Sequence, residues 1–144
     1  MDAGAPGEFI KVKVSEVGFT DQSGSEGLLW LRADDGKAFA MRSFSGESAM
    51  HMQRFSHGDR SSIPSVYNMV EEIADKEGLH LSGIKVYPVG EVLRADLQLL
   101  GRGKDVSLGG YRASDAVALA LLYDAPIMLH RSLLEFEQQE DSRH

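Results

Sequence analysis

The sequence predicts an α+β fold: a mixed, mainly antiparallel sheet with three to four helices, arranged as an α/β roll. Three observations carry this. Several segments alternate apolar and polar residues with period two, and turn chemistry joins them at hairpin spacing. Three helical segments each follow a serine placed to cap them. The order strand, strand, strand, helix occurs twice, where a parallel α/β sheet would alternate strand and helix regularly.

The elements follow in order. Residues 1–8 are rich in Gly, Ala and Pro and are expected to be disordered. Phe9 to Phe19 sets Ile10, Val12, Val14 and Val17 against Lys11, Lys13 and Glu16, the pattern of a half-buried strand. A turn cluster over 21–27 leads to a strand over 28–33, and Asp35-Gly36 is a hairpin signal before a returning strand over 38–42. Ser45 caps a helix that carries Glu47 in its first turn and ends at His57-Gly58. Ser65 caps a second helix over 66–77, with Gly78 beyond its end; Val66, Met69, Val70, Ile73 and Ala74 share one face of it.

Strands are expected over 79–86 and 91–100, with a short one over 104–108 after the turn at Gly101-Arg-Gly103. Ser114 is expected to cap a third helix, 115–123, which Asp124-Ala-Pro126 breaks before a last strand over 127–129. A final helix follows Ser132, and 137–144 form a charged tail, which leaves 9–136 as the folded domain. Gly46-Glu-Ser-Ala-Met-His-Met52 can be laid on Ser114-Asp-Ala-Val-Ala-Leu-Ala120 at an offset of 68, which suggests internal duplication. The third helix is apolar nearly all round, so it needs cover on every side, from its own domain or from a second subunit. A homo-oligomer, most simply a twofold dimer, is the expectation.

Composition narrows the function classes. The 144 residues fit one domain, and the absence of cysteine excludes disulfides and thiolate zinc sites. No apolar run reaches the ~20 residues that span a bilayer, so a soluble, cytoplasmic protein without membrane partners is expected. The formal charge is -7, the wrong sign for electrostatic capture of nucleic acid. Between Phe9 and Arg131, however, 16 acids face 14 bases, a net of -2, so the body itself is nearly neutral.

Tyr111-Arg-Ala-Ser-Asp-Ala-Val-Ala-Leu-Ala120, followed by Ala125-Pro-Ile127, resembles the signature of the bifunctional nuclease domain family. Members typically read Arg-Pro-Ser-Asp-Ala-Ile-Ala-Leu-Ala and then Ala-Pro-Ile; Gly46-Glu-Ser-Ala looks like their first helix start. The resemblance implies an α+β roll, self-association, and DNase and RNase activity. The chain departs from the pattern at Ala113, where Pro is usual, and at Val66-Tyr67-Asn68, where members commonly carry Thr-His-Asp.

On that reading Asp115, Glu47 and Arg112 are the candidate catalytic residues. The two acids would hold a divalent ion, magnesium or manganese, or orient water, and the guanidinium would clamp phosphate. Arg42, Ser114 and His51 are the candidate substrate contacts; Glu47 and His51, four apart, share one helix face. The competing reading keeps the same residues structural: Asp115 pairs with Arg112, Glu47 with Arg42, and Ser114 is a helix cap. The chain is then a non-catalytic, oligomeric binding or assembly module. Trp30 and the methionines read as core filler, and Lys11, Lys13, Arg102 and Lys104 as guards of strand edges.

Overall fold

The computed structural model describes residues 7–134. Expectations for residues 1–6 and for the charged tail lie outside the described residues, as does the last helix beyond Leu134. Seven strands form one sheet: β1 (Phe9–Phe19), β2 (Glu26–Ala33), β3 (Ala38–Ser45), β4 (Leu79–Val89), β5 (Val92–Gly101), β6 (Lys104–Arg112) and β7 (Ile127–His130). The main helices are α1 (Gly46–Ser56), α2 (Val66–Lys76) and α3 (Ala113–Tyr123), with one further helical turn over 131–134. Strand order is β3-β2-β1-β7-β4-β5-β6, antiparallel throughout except between β4 and β7. The chain is therefore a mixed α+β protein, as its patterning predicts. Among the described residues no helix is long and apolar enough to cross a membrane.

Two meanders, β1–β3 and β4–β6, flank β7, and a helix leaves the last strand of each without a loop. β7 runs antiparallel to β1 and parallel to β4, so the two meanders point in opposite directions. That is the relation a twofold axis perpendicular to the sheet would produce. Their irregularities match as well. Ser15 and Ser82, 67 positions apart, each form a β-bulge, and each hydroxyl donates to a carbonyl of the facing strand, Trp30 at 3.3 Å and Gln98 at 3.0 Å. A second pair of bulges holds Ser43 (φ 64) and Gly110 (φ 80), again 67 apart, as are the first residues of α1 and α3. The offset is thus 67 and not 68. Glu47 corresponds to Ser114, and Ser48 to Asp115.

Two expectations need correction. α3 begins at Ala113 with Arg112 at the N-cap, so Ser114 is a buried helical residue and caps nothing. The N-cap position, which Ser45 fills in α1, is held here by Arg112, whose side chain has no acceptor for the first N–H groups. α3 also needs no second subunit: Ala116, Val117, Ala118, Ala120 and Leu122 are buried in the chain's own core, between α1, α2 and the sheet. α2 is the reverse case. Its capping box at Ser65 and Asn68 forms, but Val66, Met69, Val70 and Ile73 are exposed, and only Tyr67 and Ala74 are buried. Helical spacing fixes which residues share a face, not the direction in which that face points. Among the methionines, Met41 and Met52 are core and Met69 is not.

Candidate functional site

Ser45 ends β3 and Arg112 ends β6, the two edge strands of the sheet. A continuous run of hydrogen bonds joins them, which requires the sheet to curl until its edges approach. The Ser45 hydroxyl caps α1 by accepting from the Ser48 N–H at 3.1 Å, and donates to Ser48 Oγ at 3.0 Å. Ser48 Oγ lies 3.3 Å from the Tyr67 hydroxyl, which donates to Asp115 Oδ1 at 3.0 Å. Arg112 Nε donates to Asp115 Oδ2, also at 3.0 Å. Each hydroxyl carries one proton. Tyr67 uses its own on Asp115, so Ser48 donates to Tyr67, and every link points toward the carboxylate.

The charges agree with this direction. The hydrogen bond and negative charge of Asp115 raise the Arg112 pKa, so the guanidinium stays charged. Burial raises that of the Tyr67 hydroxyl, and the charge of Asp115 adds to it, so the phenol stays a neutral donor. Asp115 also occupies the first turn of α3, where the positive end of the helix favours an acid.

His51 is buried one turn into α1, in a T-shaped contact with the Tyr67 ring and stacked against Phe55. Its Nδ1 lies 2.7 Å from Arg54 Nη2. Arginine has no acceptor, so Nδ1 accepts and the neutral ring carries its proton on Nε2. Burial lowers the His51 pKa below its ordinary value, the Arg54 charge lowers it further, and Glu47 opposes both.

These groups edge a cleft of about 790 Å³. Glu47, Ser48, His51, Tyr67, Arg112 and Asp115 form its polar side. Leu81, Leu97 and Leu99 of β4 and β5 supply apolar lining, with Val66 and Val70 of α2 on one flank and Leu108 and Tyr111 of β6 on another. That mixture, mostly apolar with a few convergent polar groups, is typical of a ligand site of this volume.

Of the residues singled out in the sequence, Glu47, Asp115, Arg112 and His51 therefore converge. Two do not. Ser114 is buried and does not line the cleft, and Arg42 is exposed on β3 outside it. Among the described residues no ion pair joins Arg42 to Glu47. Asp115 and Arg112 do form the expected pair, but both carboxylate oxygens are then engaged, by Arg112 and by Tyr67. No group of three His, Asp or Glu side chains that could hold a metal ion exists among the described residues. Magnesium and manganese take about six ligands, mostly oxygen. With Asp115 and His51 Nδ1 already bonded, the cleft's own residues do not fit such an ion.

Sequence reasoning missed Tyr67 and Ser48. Tyr67 is 48 residues from Asp115, and only tertiary packing makes them neighbours. Tyr123 also lines the cleft; its hydroxyl is buried without a partner among the described residues, a cost of about 1–3 kcal/mol. A second cavity, of about 610 Å³, is lined by Lys11, Lys13 and Arg60 with Asp124. The two lysines thus face a concavity instead of guarding a free edge.

No protein-family model matches the chain, and no curated protein matches it.

Proposed function

We propose that the cleft is the site of a nuclease that hydrolyses phosphodiester bonds of DNA or RNA. One observation carries the reading. Asp115 pins Arg112 at Nε, while its two terminal nitrogens have no partner among the described residues and its side chain is 72% exposed at the cleft. A guanidinium so oriented presents a fork that fits a phosphate bidentately. In this reading Glu47 is the base that removes a proton from the attacking water, Arg112 neutralises the non-bridging oxygens, and Asp115 positions Arg112. The resemblance around Tyr111 to Ala120 supports nuclease activity as such and assigns no role to these residues. A cysteine-free chain suits a reducing compartment such as the cytoplasm.

A second reading, a binding module that holds phosphate without cutting, is favoured by the engagement of Asp115 and by the lack of a metal-ligand group among the described residues. The two separate in one experiment. Labelled DNA and RNA strands are incubated, with and without chelator, with the parent protein, Glu47→Gln and Arg112→Lys, after their thermal stabilities are matched. Chelator-resistant cleavage, lost by about 100-fold in Glu47→Gln, is the expected result. Binding without cleavage supports the second reading, and neither binding nor cleavage overturns both.

A further inference from the structure

We infer that the cleft selects unpaired nucleotides, taking one base between α2 and β6 while the adjoining phosphate sits on Arg112. This rests on Arg112 being a phosphate contact, as proposed above, and adds what recognises the rest of the strand.

Charge cannot supply the affinity. The chain carries -7 overall, and at the cleft Glu47 and Asp115 outnumber Arg112. One neutralised phosphate is a weak hold on nucleic acid. The remaining contact surface is apolar. Val66 and Val70 on α2, and Leu108 and Tyr111 on β6, are large apolar side chains that line one cleft and stay exposed within it. Leu81, Leu97 and Leu99, all buried, complete the lining. A nucleobase presents two apolar faces and suits a gap between such flanks, and the affinity gained by stacking or burying a base depends little on its identity.

The bulge in β6 makes the arrangement possible. Neighbouring residues of a regular strand point to opposite faces. Gly110, at φ 80, breaks that alternation just before the strand passes into α3, and Tyr111 and Arg112 both line the cleft. An aromatic ring and a phosphate-binding fork therefore stand side by side, as one nucleotide requires. A duplex keeps its bases stacked and paired inside a helix much wider than a cleft of about 790 Å³, so it cannot present one without unpairing.

The test measures binding to the Glu47→Gln protein, which keeps Arg112 and both flanks. Fluorescence anisotropy compares a short single strand, the same strand made wholly abasic, and the duplex. Val70→Gln and Leu108→Gln, both at partly exposed positions, are then added singly after circular dichroism shows them folded. Binding of the abasic strand and the duplex is expected to be at least about tenfold weaker than that of the intact strand, and each flank substitution should weaken only the intact strand. Equal binding of the abasic strand or duplex, within about twofold, overturns this inference and leaves the phosphate reading standing. So does intact-strand affinity unmoved by both substitutions. Failure of every strand to bind overturns the phosphate reading as well.

Discussion

At the scale of single residues, the site depends on where protons sit. Arg112 and Asp115 are three apart at a strand-to-helix junction, so their pairing was legible from spacing and charge alone. The pair is exposed enough that it contributes on the order of 0–1 kcal/mol by itself. What fixes Asp115 is Tyr67, 6% exposed, which no local pattern connects to it. Tyr67→Phe removes one hydroxyl, the donor to Asp115 Oδ1 and the acceptor of the Ser48 proton. Chemical denaturation should show a loss of about 1–3 kcal/mol, and an unchanged midpoint would contradict the directed chain. His51 gives a pH signature. Its pKa is lowered in the folded state, so the unfolded chain binds the proton first. The stability it contributes is complete above about 6.5 and is lost as pH falls below it. His51→Gln keeps an acceptor for Arg54 but cannot titrate. Denaturation midpoints between about pH 7 and 5 should fall less steeply for this variant than for the parent; equal slopes would show that His51 is not held neutral.

Elements were legible where local chemistry decides them. β1 occupies Phe9–Phe19 as its alternation predicts, and the serine caps at Ser45 and Ser65 both form. Legibility ended where direction or continuity decides. β6 was expected to stop at Leu108 and instead runs to Arg112 through a Gly110 bulge, since two glycines in a row read as a turn. The spacing of α2 groups its apolar residues without saying where they point, and Val66, Met69, Val70 and Ile73 are exposed. Self-association, which the resemblance implies, is therefore proposed at α2 and no longer at α3. Met69 and Ile73 are more than half exposed, so replacing both by Asp should leave the monomer folded. Light scattering should then show a lower mass than for the parent. A parent that is monomeric at micromolar concentration, or a double variant of unchanged mass, refutes an α2 interface.

Across the whole molecule, the repeated meander and the curl of the sheet explain why a site exists here. Two meanders related by an offset of 67 place Ser48 and Asp115 at equivalent positions, and curling of the sheet lets one tyrosine hydroxyl touch both. The repeat was visible in the sequence, but off by one. With so little identity, only the bulges and helix starts fix the register. The same architecture leaves a largely apolar cleft with an arginine at its edge and a further cavity lined in part by lysines, and nucleic acid is proposed to occupy the first. Backbone NMR during titration with a short single-stranded oligonucleotide tests that assignment most directly. Amide shifts are predicted at Glu47, Tyr67, Val70, Leu108, Tyr111 and Arg112. Shifts confined to Lys11, Lys13 and Arg60, or no shifts at all, would contradict it.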